Sequence, residues 1–173
     1  TGRKMEVMLG YSDSSKDAGP TTATLALHSA QERIAKWADE NDIDLTLFHG
    51  RGGAVGRGGG PANRAVLAQP KGSVKCRFKL TEQGEVIFAR YGNPVLAIRH
   101  VESVAAATLL QSAPSVEKTN TEMTEKYKPM ANQLSEVSHE TFLDLLNSED
   151  FAPWFSIVTP CLLYTSPSPR DCS

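Results

Sequence analysis

Five side chains in two short segments have the types needed to work on an anion: Asp13, Lys16, His49, Arg51 and Arg57. The segment "SDSSKDAG" supplies a carboxylate, a hard oxygen ligand suited to Mg2+ or Mn2+, and an ammonium three residues later. The segment "FHGRGGAVGRGGG" supplies an imidazole and two guanidinium forks among Gly50, Gly52, Gly53, Gly56, Gly58 and Gly59. Glycine lets backbone N–H groups converge on an anion, and arginine matches the geometry of phosphate or carboxylate. Glycine on both sides of Arg57 also permits a loop that swings. Taken alone, the same loop reads equally as a surface loop with two solvated arginines, and Asp13 as the cap of a turn.

Standard motifs are excluded by position. No Lys-Ser or Lys-Thr follows the glycines, as a Walker loop requires, and a dinucleotide fingerprint begun at Gly50 meets Val55 where its last glycine belongs. A calcium loop begun at Asp13 meets Ala18 and Thr24 where glycine and glutamate are needed. RGG repeats of RNA-binding tails are long and extended, whereas this one is embedded between a strand pattern and "ANRAVLA".

The elements that position these groups follow from periodicity. "MEVMLGY" and "IDLTLFH" read as short buried strands, with "SDSSKDAGP" as a loop after the first. Between them Ala23, Ala26, Leu27, Ala30, Ile34 and Trp37 recur at helical spacing. This is a βαβ unit of an α/β fold, and both chemical segments follow the carboxyl end of a strand, where such folds build their sites. "VKCRFKL" alternates, with Val74, Cys76, Phe78 and Leu80 on one face and Lys75, Arg77 and Lys79 on the other, which predicts a strand, or part of a hairpin turning near Gln83 and Gly84. Ile98, Val101, Ala105 and Leu109 mark one later helix. Met123, Tyr127, Met130, Leu134 and Val137 mark another, read as a core stripe, with a shorter helix at Phe142 to Leu146 and one more from Ser148.

With 173 residues the chain is long enough for a sizeable core, and its net charge of −2 gives no global reason to bind nucleic acid or an anionic membrane. No apolar run approaches the ~20 residues that span a bilayer. Cys76, Cys161 and Cys172 lack metal-ligand spacing and read as reduced thiols. His28, His100 and His139 fall in helical stretches and match no signature. The chain starts at Thr1 and is expected to be a fragment. Residues 161–173, "CLLYTSPSPRDCS", are a Ser/Pro-rich tail that resembles translated adapter sequence.

"VMLGYSDSSKDAG", "FHGRGGAVGRGGGPANRAVLAQPKGSV" and "KLTEQGEVIFARYG" together resemble the carboxyl-terminal half of phosphoenolpyruvate carboxylase, bacterial type, from Thr1 to about Pro160. The resemblance implies part of a (β/α)8 TIM-like barrel heavily decorated with helices, in a cytoplasmic homotetramer. It implies carboxylation of phosphoenolpyruvate by bicarbonate to oxaloacetate and phosphate, through carboxyphosphate and an enolate, with Mg2+ or Mn2+. By position, Asp13 would be a metal ligand, Lys16 a catalytic lysine handling bicarbonate, and His49 the histidine that holds CO2. Arg51 and Arg57 would stabilise phosphate, and Arg57 would also meet the inhibitor aspartate or malate. The family's general-base histidine, a further arginine and a second metal carboxylate match nothing here, so the chain alone is expected to be inactive. The alternatives are a non-catalytic anion-binding module from the same barrel and another phosphoenolpyruvate-using barrel enzyme such as a phosphotransferase.

Overall fold

The computed structural model describes residues 2–50, 62–81 and 84–158. Arg51, Gly52, Gly53, Gly56, Arg57, Gly58, Gly59 and the tail at 161–173 lie outside the described residues.

Two eight-residue strands, β1 (Arg3–Gly10) and β2 (Ile43–Gly50), run parallel in a register that starts at Arg3 with Ile43 and ends at Gly10 with Gly50. Between them lie helices α1 (Tyr11–Ala18) and α2 (Pro20–Glu40). A helix α3 (Ala62–Leu67) then leads to β3 (Lys79–Leu80), which pairs parallel with β2. The strand order is β1-β2-β3, followed by α4 (Gly84–Tyr91), α5 (Pro94–Gln111), α6 (Pro114–Leu146) and α7 (Phe151–Val158). The chain is thus mixed α/β and rich in helix, and the βαβ reading holds.

Strand alternation sorts the sheet into two chemistries. Leu9, Leu45 and Leu47 are buried with Ala38 of α2, and Leu27 and Ile34 pack against them. Burial of each leucine is worth about 1.5–3 kcal/mol, so this is the seam that holds helix to sheet. The other face carries ion pairs between strands and their extensions: Lys79 Nζ lies 2.8 Å from Glu6, and Arg77 pairs with Asp44. That pairing holds the Asp44 carboxyl below its usual range. These pairs are half-exposed and contribute little individually.

Four sequence expectations change. "SDSSKDA" is helix α1, not loop: Ser14 and Ser15 hydroxyls donate to the carbonyls of Gly10 and Tyr11 at 2.6 and 2.8 Å, four residues back. Serine that bonds within the helix no longer competes with it. "VKCRFKL" is a strand only at Lys79–Leu80, because Lys75 and Cys76 take left-handed φ of 41° and 58° and the Arg77 amide closes a turn on the Val74 carbonyl at 2.7 Å. Val74 and Phe78 nevertheless fall on the apolar side and Arg77 and Lys79 on the charged one, while Cys76 is exposed, and the chain continues into α4 instead of folding back as a hairpin. Phe142 to Leu146 is the end of one 33-residue α6 that runs through Pro129, and the last helix begins at Phe151. Finally, the α6 stripe is not core: Met123, Met130, Leu134 and Val137 are about half exposed, as are Ile98, Val101 and Leu109 of α5. α2 touches α6 along one side, where Thr22 donates to the Ser135 carbonyl at 2.9 Å, and it is too narrow to cover the stripe.

Two outcomes test this packing. Gly19 joins α1 to α2 at φ 77° and ψ 158°, a region open essentially only to glycine, and a Cβ there would meet Phe142 at 3.0 Å. Gly19→Ala should cost about 1–3 kcal/mol in urea unfolding. His28, half-buried on α2, has its imidazole pKa pushed below 6.5 by burial, with Glu32 opposing. The unfolded chain therefore binds the proton first, so stability should fall as pH drops below the ordinary value of 6.5. His28→Gln should flatten that slope.

Candidate functional site

The parallel register fixes where the two chemical segments leave the sheet. Gly10 and Gly50 are partners, so α1 and the glycine-rich segment depart from the same edge. Gly50 is glycine for a packing reason: a Cβ there would come within 3.1 Å of both the Leu9 carbonyl and the Met8 side chain. A side chain there would need its neighbours on β1 to give by a few tenths of an ångström.

Asp13 stands in the first turn of α1 and Lys16 in the last, each favourably placed against the helix dipole. They pair with each other at 3.6 Å and are 78% and 75% exposed. An ion pair so open to water contributes little to stability, and leaves both groups accessible to a ligand.

His49 is the opposite case, only 1% exposed. Period-two alternation puts it on the helix-facing side with Leu45 and Leu47, at the last position before Gly50. Its Nδ1 lies 2.8 Å from the Tyr11 hydroxyl. Its ring sits between Tyr11, with centroids 6.1 Å apart, and Phe78, at 4.5 Å. Its carbonyl accepts from the Thr81 amide at 3.1 Å, tying β3 to the same edge. The site is therefore two-sided, with an exposed charge pair on α1 and a dry imidazole in the layer between sheet and helices.

The register puts α1, with Asp13 and Lys16, and His49 at the same end of the two strands, with His49 buried and the other two exposed, and Tyr11 and Phe78 beside His49 are not singled out by the sequence. Tyr11 was absorbed into the strand pattern. Phe78 was assigned to the right face, but nothing in its spacing says that it packs on His49. For the metal, Asp13 offers one carboxylate, and no group of three His, Cys, Asp or Glu side chains that could hold an ion occurs among the described residues. One exposed carboxylate paired with a lysine does not fit an ion that demands about six oxygens. The described residues contain one candidate carboxylate and no metal centre.

Comparison with known proteins gives the site a context. Residues 1–165 match the family described as phosphoenolpyruvate carboxylase. The chain is 45% identical over 159 residues to phosphoenolpyruvate carboxylase of Roseiflexus castenholzii, covering 92% of this chain and 17% of that protein. It is 45% identical over 162 residues to the protein of the same name from Marinobacter nauticus, covering 91% and 18%. Against that of Mycobacterium leprae it is 43% identical over 159 residues, covering 92% and 17%. The chain thus spans less than a fifth of the length of these relatives.

With one carboxylate at the edge, the 173-residue chain should bind Mn2+ only weakly. Titration followed by the paramagnetic resonance of free Mn2+ should give an affinity in the millimolar range or weaker, unaltered by Asp17→Asn and reduced further by Asp13→Asn.

Proposed function

This chain belongs to the phosphoenolpyruvate carboxylase family, and we propose that it is one part of an enzyme that carboxylates phosphoenolpyruvate with bicarbonate to give oxaloacetate and phosphate. The observation that carries the reading is the pairing of Gly10 with Gly50, which sends "SDSSKDAG" and "GRGGAVGRGGG" out from one edge. An anion reached from both segments would meet Lys16, Arg51 and Arg57 together. A bicarbonate oxygen attacks phosphorus, and the bond from phosphorus to the enol oxygen breaks, leaving carboxyphosphate and the enolate of pyruvate. Carboxyphosphate releases CO2 and phosphate, and C3 of the enolate then bonds to CO2.

Each step places a demand that a residue type here answers. Negative charge moves from phosphate ester to enolate, and fixed cations where it develops are worth about 3–4 kcal/mol of barrier for each donor removed. Lys16 is exposed and, among the described residues, pairs with Asp13, so a bicarbonate ion can replace that carboxylate as its partner. Arg51 and Arg57 bind the transferred phosphate, Arg57 also meets the inhibitor aspartate or malate, and Gly50, Gly52, Gly53, Gly56, Gly58 and Gly59 let the backbone close around the anion. His49 suits a different substrate. A buried ring packed on Tyr11 and Phe78 is a setting that would reject a phosphate dianion on desolvation grounds, whereas CO2 is small, neutral and apolar.

In this reading Asp13 is one ligand of an Mg2+ or Mn2+ ion whose other ligands come from elsewhere in the whole protein. The open three-stranded sheet becomes part of a closed (β/α)8 barrel. The half-exposed faces of α5 and α6 are covered by the rest of a homotetrameric, cytoplasmic enzyme that feeds the tricarboxylic acid cycle.

Oxaloacetate formation by the full-length enzyme, followed by coupled reduction to malate, should require bicarbonate. Lys16→Ala should lower kcat/KM by about 100-fold or more, and the 173-residue chain should give no oxaloacetate. Turnover without bicarbonate would rule the reading out.

A further inference from the structure

We propose that the cavity between α2 and α3 binds a small organic acid that carries an O–H or N–H donor at the end away from its carboxylate. The site is separate from the pair of charges on α1 and does not depend on the carboxylase reading. The cavity has a volume of about 330 Å3. Leu27 and Gln31 line it from α2, and Arg64, Ala65, Ala68 and Gln69 from α3 and the two residues after it.

Gln31 is what marks the cavity as a site. It is 3% exposed, and its Oε1 has no hydrogen-bond partner, the only buried side-chain oxygen or nitrogen left so among the described residues. Neighbouring buried amides are met. Gln69 Nε2 donates to the Ala65 carbonyl at 2.7 Å, and Gln111 Nε2 donates to the Gln69 carbonyl at 2.6 Å. A buried acceptor left open costs free energy that an apolar side chain of similar shape does not. The donor that Gln31 lacks therefore comes from what fills the cavity.

Three properties of the wall set the class of that ligand. The open oxygen only accepts, so it selects an O–H or N–H. Leu27, Ala65 and Ala68 offer no polar side-chain group, whereas each ordered water needs about two to four polar partners. A short apolar chain suits these walls better than a string of waters. At the exposed side stands Arg64, which forms no ion pair among the described residues and whose guanidinium fork matches a carboxylate. Burial pushes the pKa of His28, also on the wall, below 6.5, with Glu32 opposing. His28 is thus neutral at pH 7, and Arg64 is the only charged group on the described lining, which favours an anion.

The experiment uses the full-length protein with 4-hydroxybutyrate as the probe and butyrate, which lacks the donor, as its control. Calorimetric titration should show 4-hydroxybutyrate binding about tenfold more tightly than butyrate, the size of one hydrogen bond. Gln31→Leu should abolish that difference. Arg64→Gln should weaken both acids by about tenfold or more, because it removes a charge-assisted pair. Lys16→Ala should change neither, which separates this site from the sheet edge. Equal affinity for the two acids, or a preference that survives in Gln31→Leu, overturns the proposal. So does the absence of binding, or density in soaked crystals that shows only water or another segment of the protein against Gln31. Should Gln31→Leu fail to fold, the Arg64→Gln titration and the density decide, since Arg64 is exposed and its replacement leaves the core intact.

Discussion

The parallel ladder between β1 and β2 is the constraint on which the site depends. Its register runs without interruption from Arg3 with Ile43 to Gly10 with Gly50, so the two strands end level. A slip of one residue would turn every side chain to the other face. His49 would leave Phe78 and Tyr11, and Leu45 and Leu47 would leave α2 for the face that carries Glu6. The hydrophobic seam against Ala38, Leu27 and Ile34 therefore fixes the chemistry as well as the fold. The close approach of Gly50 to the Leu9 carbonyl makes the last step of the ladder tight for any side chain.

Much of this was legible in residue order. Two short apolar runs flanking a helical pattern specify a βαβ unit, and parallel strands then bring their carboxyl ends together. The alternation in "VKCRFKL" was legible too, although its meaning was not. Val74 and Phe78 face the helices while Arg77 and Lys79 reach Asp44 and Glu6. The pattern records which side each residue takes, and left-handed turns at Lys75 and Cys76 permit that sorting without an extended strand.

What the sequence hid has two physical sources. Serine-rich "SDSSKDA" looks like a loop on propensity, yet its hydroxyls satisfy carbonyls one turn back and its charges complement the dipole, so α1 forms directly on the strand. That conversion is what brings Tyr11 onto His49, since an extended loop would carry the phenol away from the sheet. The second source is partnership. A helical stripe such as that of α6 announces that a face will be covered without saying by what. Here α2 covers only one side, and the chain amounts to 17% or 18% of the length of its relatives.

The two halves of the site differ in their relation to water, and that difference follows from the same alternation. α1 projects Asp13 and Lys16 from the sheet edge into solvent, where charges can exchange partners at small cost. β2 ends with His49 turned inward, where a polar ring is tolerated only if its hydrogen bonds are met, as the Tyr11 hydroxyl meets Nδ1. The two settings, an open charge pair and a buried polar ring, thus lie within a few residues of the ends of two neighbouring strands. β2 thus ends with a buried polar group, His49, one peptide before its final residue Gly50. The neighbouring strand, turning directly into a helix, supplies the hydroxyl that makes the dry group's burial affordable.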